Sequence, residues 1–214
     1  MQKKINVIIY LPGLGGNFMR QLFSLDSSTY CWCPQDLIAQ KDKLPRKDLY
    51  SYKNIYHRYK SWKGHHHQFS QNHIDLLRFI DEFEDTNFYK LNLSVHPVEL
   101  TLEASKVLES RFKIKYFQVF LDSSLQHVVE SFRHYNSYPW VRPGELELNQ
   151  QYHEIFKPEM INFDNFILGE QYFLSEYQRL CPLFEVTNQS KTALELYQDW
   201  YKERQILKFL KQKY

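Results

Sequence analysis

The sequence predicts an α/β fold, with a central and mostly parallel sheet flanked by helices, and two observations carry the prediction. Four short apolar runs alternate with helix-like segments, which is the pattern of βαβ units. The first run, Ile5 to Leu11, ends in the glycine-dense turn Pro12, Gly13, Leu14, Gly15, Gly16, which opens the next helical segment. A strand buried on both faces of a parallel sheet is continuously apolar rather than alternating.

Each element follows in chain order. Val7 to Leu11 is hydrophobic and rich in β-branched residues, and Asn17 to Leu25 reads as the first helix. Ile74, Leu77, Ile80 and Phe83 form an apolar helix stripe before a second strand at Phe88 to Val95. Ala104, Val107 and Leu108 mark a helix before a third strand at Ile114 to Leu121. Leu125, Val128, Val129 and Phe132 repeat at i, i+3, i+4, i+7, with Ser123 and Ser124 as N-cap candidates. A weaker apolar run, Leu183 to Val186, reads as a fourth strand. From Ser190 to Lys211 there is no Gly or Pro, and the stretch ends in lysines that complement a helix C-terminus. A long C-terminal helix is expected there. Residues 27–70, with Pro34 and Pro45, and residues 136–160, with Pro139, Pro143, Gly144 and Pro158, read as irregular insertions.

The 214 residues, 43% of them hydrophobic, suit a single α/β domain over 1–214. A net charge of +2 gives no global field for nucleic acid, so no nucleic-acid partner is expected and any anion site must be local. Only about seven apolar residues precede Pro12, too few for a membrane span and without a small-residue cleavage site. No membrane partner is expected, and the default is a cytoplasmic protein. Cys31, Cys33 and Cys181 form no even framework, in keeping with reduced thiols. Aromatic residues make up 17% of the chain, as in sites that stack sugars or bases and equally in aromatic-filled cores.

The turn carries the chemistry. Gly13, Gly15 and Gly16 allow backbone conformations closed to other residues, and the first N–H groups of a following helix favour an anion. The Walker lysine and its following Ser or Thr are absent, which disfavours a P-loop kinase of small molecules.

Pro12, Gly15 and Phe18 fall in register with the Pro-Lys-Ser-Gly-Thr-Thr-Trp loop of the sulfotransferase family, and the turn resembles that loop. Gly13 stands at the family's lysine, and Gly16 and Asn17 replace its hydroxyl pair. Arg20, one turn on, is a candidate substitute for the missing charge. Residues 122–135 resemble the family's 3′-phosphate segment, with Ser131 keeping the serine, Phe132 and Tyr135 keeping aromatic places, and Ser123 standing where the arginine would be. Residues 91–98 resemble its Lys-Thr-His-Leu-Pro segment, with His96 at the base and Ser94 at the second lysine. Residues 160–169 resemble the downstream strand and turn, with Asp164 as a cap or loop anchor and a helix following from Glu170 to Leu180.

The resemblance implies a three-layer, P-loop-like fold that moves a sulfuryl group from 3′-phosphoadenosine 5′-phosphosulfate to a hydroxyl of a carbohydrate or small acceptor. It implies that Gly13, Leu14, Gly15, Gly16, Asn17, Phe18, Arg20, Ser123 and Ser131 hold the donor and that His96 is the base. No metal is implied. The alternative is a catalytically silent relative that binds through residues 50–69, where Arg58, Lys60 and Lys63 interleave with Tyr and Trp. His65, His66, His67 and His73 make no metal site on their own, since contiguous histidines in an extended chain cannot converge on one ion.

Overall fold

The computed structural model describes residues 2–25, 29–30, 83–85, 87–97, 100–121 and 144–203. The elements, in order, are β1 (Lys4–Ile9), α1 (Gly16–Leu22), β2 (Thr29–Tyr30), β3 (Lys90–Val95), α2 (Leu102–Arg111) and β4 (Lys113–Phe120). They continue with α3 (Glu145–Phe156), β5 (Glu159–Asn162), α4 (Asp164–Ile167), α5 (Glu170–Leu180) and α6 (Ser190–Glu203). The strands form one sheet in the order β2-β3-β1-β4-β5, β2 being a two-residue edge, and every pairing is parallel. The register sets Ile9 beside Val95 on one side and beside Gln118 on the other.

Side chains alternate across the sheet, and β1 feeds two cores. Ile5, Val7 and Ile9 join Leu91, Leu93 and Val95 under Ala104 and Leu108 of α2 and Tyr152 of α3. Ile8 and Tyr10 join Phe117, Val119 and Ile161 under α1, α5 and α6. Helices therefore cover both faces, as a parallel sheet requires. On the second face the Phe184 ring stacks on Phe23 at 3.9 Å and on Phe117 at 3.8 Å between centroids, and burying each such ring contributes about 1.5–3 kcal/mol.

Two local expectations are corrected. Leu183 to Val186 is not a strand but part of a turn after α5. Pro182 precedes it, Glu185 sits at φ 53° where an extended strand cannot continue, and the run is apolar because Phe184 fills the core. Its carbonyls are met by lysines rather than by a strand: Lys115 Nζ donates to the Leu183 carbonyl at 3.1 Å and Lys90 Nζ to that of Glu185 at 2.6 Å. Within 136–160, Glu145–Phe156 forms α3. Pro143 and Pro158 bracket this helix rather than break it, and Leu148, Tyr152 and Phe156 give it an i, i+4, i+8 stripe against the sheet.

The ends of the strands differ in character. Lys4 and Lys90 start β1 and β3 as register partners, and Lys4 pairs with Glu185 at 2.5 Å. Lys115 approaches Glu159 at 3.7 Å. These cations lie at the amino ends of the strands. The six-residue β1 has Lys4 at one end and leads into the glycine turn at the other, roughly 20 Å away at about 3.3 Å per residue.

Candidate functional site

In an open parallel sheet, ligands bind outside the carboxyl ends of the strands, where the order of connections reverses. Here the chain leaves β1 toward β2 and β3 on one side, then crosses by α2 to β4 on the other. The turn of residues 10–15 leaves the sheet at that place.

Gly13 at φ 94° and Gly15 at φ 64° occupy the left-handed region, where a side chain costs about 1–2 kcal/mol. Leu14 N–H donates to the Leu11 carbonyl at 3.1 Å, closing the turn. The first hydrogen bond into α1 runs from Met19 N–H to the Gly15 carbonyl at 3.0 Å, so the amides of Gly16, Asn17 and Phe18 precede the helical ladder.

The glycines also admit aromatic rings. A Cβ on Gly16 would stand 2.1 Å from Tyr10 Cδ1, and one on Gly15 would stand 2.9 Å from Phe163 Cε2 and 3.5 Å from Trp200 Cζ2. Leu14 and Phe18 are buried, and the Phe18 ring stacks on Trp200 with centroids 4.5 Å apart and planes 12° apart. The turn thus rests on Phe163 and on Trp200 of α6.

His96 lies just past β3, buried, with its ring 4.4 Å from that of Tyr10. Its Nδ1 is 3.0 Å from the Tyr10 carbonyl oxygen. A carbonyl only accepts, so Nδ1 carries the proton in this contact, and neutral imidazole then holds its lone pair on Nε2. Tyr10 N–H in turn donates to the Val95 carbonyl at 3.1 Å. One residue, Tyr10, therefore packs against both Gly16 and His96.

Of the residues singled out from the sequence, the fold brings together Gly13, Leu14, Gly15, Gly16, Phe18 and His96. Asn17 contributes its place in α1. Arg20 follows in the same helix; its Nε is buried without a hydrogen-bond partner among the described residues, and its carbonyl accepts from Ser24 Oγ at 2.6 Å. Ser94 is buried on β3. Asp164 opens α4, its N–H donating to Asn162 Oδ1 at 3.0 Å. Ser123, Ser131 and residues 50–69 lie outside the described residues, as do His65, His66, His67 and His73. Among the described residues no three His, Cys, Asp or Glu side chains gather as metal ligands, and no helix is long and apolar enough to cross a membrane.

No model of a known family and no curated protein matches this chain.

Sequence reasoning missed Tyr10, Phe163 and Trp200. Trp200 was legible as a core position, since Ala193, Leu196, Tyr197 and Trp200 repeat at helical spacing. Its meeting with Gly15, a tertiary contact 185 positions away, leaves no local trace. Below the turn, Asn6 Nδ2 donates to Asn92 Oδ1 at 2.8 Å, and Asn92 Nδ2 donates to the Phe23 carbonyl at 2.7 Å. This buried amide pair ties β1 and β3 to the end of α1, fixing the helix that the turn opens.

Proposed function

We propose that the protein is a sulfotransferase of the P-loop-like kind, moving a sulfuryl group from 3′-phosphoadenosine 5′-phosphosulfate to a hydroxyl of a carbohydrate or small-molecule acceptor. The single observation that supports this most is the contact of His96 Nδ1 with the Tyr10 carbonyl at 3.0 Å. It joins an imidazole, the side chain that most often serves as a general base, to the entrance of a glycine-rich turn at the reversal point of a parallel sheet.

In this reading the amides of Gly15 to Phe18 hold the 5′-phosphosulfate and Ser131 touches the 3′-phosphate. Arg20 supplies the cation that Gly13, Ser94 and Ser123 do not. His96 Nε2 removes the acceptor's hydroxyl proton, freeing an oxygen lone pair for the sulfuryl group. The donor supplies that group and leaves as 3′-phosphoadenosine 5′-phosphate. Tyr10 fixes the imidazole in the tautomer that makes Nε2 the base, by the carbonyl it offers to Nδ1.

A second reading, a catalytically silent binding protein with the same fold, draws on a specific contact. Gly16 is required by the Tyr10 ring whether or not an anion binds. Transfer of labelled sulfuryl from the donor to a panel of carbohydrate and phenolic hydroxyls separates the two. His96→Asn keeps an amide donor for the Tyr10 carbonyl but has no base, so transfer should fall about 10²- to 10⁴-fold while affinity for 3′-phosphoadenosine 5′-phosphate stays unchanged. Equal transfer by His96→Asn would remove His96 as the base, and no transfer by the unsubstituted chain to any acceptor would favour the silent reading.

A further inference from the structure

We infer that Trp200 donates a hydrogen bond to the anion held by the 13–18 turn, an inference that rests on the reading of the turn given above. Trp200 is 7% exposed. Its indole Nε1 is closed to solvent and has no hydrogen-bond partner among the described residues, and such an orphaned donor is costly to keep in a native core. The ring is held rather than adrift. Phe18 stacks on its face, and Phe163 meets it at 79° with centroids 6.2 Å apart.

The indole meets the turn at Cζ2, two bonds from the N–H. Cζ2, separated from Nε1 only by Cε2, is 3.5 Å from where a Gly15 Cβ would stand. An indole N–H donates and never accepts, so its complement is an oxygen acceptor such as a sulfate or phosphate oxygen, and not a cation. Because water does not reach the atom, an anion reaches it only when the turn shifts. Gly13 and Gly15, both in the left-handed region, give the turn that freedom. A neutral donor supplies direction without charge, which suits a turn whose lysine position is Gly13.

The test is a titration of the full ¹⁵N-labelled chain with 3′-phosphoadenosine 5′-phosphate, and separately with inorganic sulfate, observing the indole N–H resonances. The chain has four tryptophans, so Trp32→Phe, Trp62→Phe and Trp140→Phe, made one at a time, assign the Trp200 signal by elimination. The Trp200 N–H resonance should move downfield as the nucleotide binds. Trp200→Phe, which keeps a ring against Phe18 but has no N–H, should bind about tenfold more weakly or worse, the loss of one hydrogen bond to a charged acceptor. Nucleotide binding with an unmoved Trp200 resonance, or with undiminished affinity in Trp200→Phe, overturns the inference and leaves the reading of the turn standing. Absence of nucleotide binding removes both. If Trp200→Phe does not fold, the resonance of the unsubstituted chain decides alone.

Discussion

Gly16→Ala should destabilise the fold by about 1–3 kcal/mol, because the added methyl meets a ring that has nowhere to go. The new Cβ would stand 2.1, 2.3 and 2.4 Å from three carbons of the Tyr10 ring, far inside the usual carbon–carbon contact of about 3.5–4.0 Å. Tyr10 cannot retreat freely: His96 packs on its ring at 4.4 Å, and its N–H is tied to Val95. Overpacking of this kind costs about 1–3 kcal/mol or more, and the gain in helix propensity from Gly to Ala offsets at most about 1 kcal/mol of it. For a chain of this length that corresponds to a fall in Tm of about 2–12 °C. Denaturant unfolding of Gly16→Ala, of Tyr10→Leu and of the double variant is the assay. Leucine vacates the ring's space, so in the Tyr10→Leu background the alanine should cost little more. Gly144→Ala is the control, since among the described residues a Cβ there meets nothing within 4 Å, and its left-handed backbone, φ 86°, opposes it. An unchanged midpoint in Gly16→Ala, or the same loss with and without Tyr10, would refute the packing argument.

Two further outcomes follow from charge and burial. Lys4, with Lys90 and Lys113 adding to it, holds the Glu185 carboxyl below its ordinary range, and the Glu185 side chain is 52% exposed, so the pair contributes only about 0.2–1 kcal/mol. A depressed folded pKa gives stability that is fully present above the ordinary carboxylate value of about 4.3 and is lost as pH falls through the lower folded value. The stability difference between the unsubstituted chain and Glu185→Gln should therefore be flat through neutral pH and shrink in acid; a difference that persists unchanged in strong acid would contradict this. Burial pushes the Cys181 thiol up, and the Tyr177 hydroxyl only partly counters it, so iodoacetamide at mildly alkaline pH should leave Cys181 unmodified until denaturant is added. Peptide mapping that finds it alkylated in the folded chain at a free thiol's rate would overturn that assignment.

The parts of the fold legible in the sequence are those with a local cause. β1 and the turn after it were readable because a β-branched run meets glycines that must adopt positive φ. α5 was expected only from the resemblance of the segment before it, and α6 was readable from a long stretch without Gly or Pro that ends in lysines. The order of the strands was not, because pairing β1 with both β3 and β4 is a non-local choice among several apolar runs of similar quality. Leu183 to Val186 misled because four apolar residues look alike whether they pair in a sheet or surround one buried ring, Phe184. α3 was hidden by the prolines at its two ends. In the candidate site, His96 and the glycines could each be named. That they meet through Tyr10 depends on the Ile9–Val95 register, and a slip of one residue would turn Tyr10 to the other face of the sheet. The cradle's other walls, Phe163 and Trp200, come from residues far along the chain that only the tertiary fold brings to Gly15.

Calorimetric titration of the purified chain with 3′-phosphoadenosine 5′-phosphate tests the central claim most directly, that the 13–18 turn is a donor-nucleotide site. The account predicts saturable one-to-one binding that weakens as salt rises, since the ligand is multiply anionic, and that is lost in Gly15→Val, whose Cβ would press on Phe163 and Trp200 and distort the turn. No detectable binding at millimolar nucleotide would contradict it.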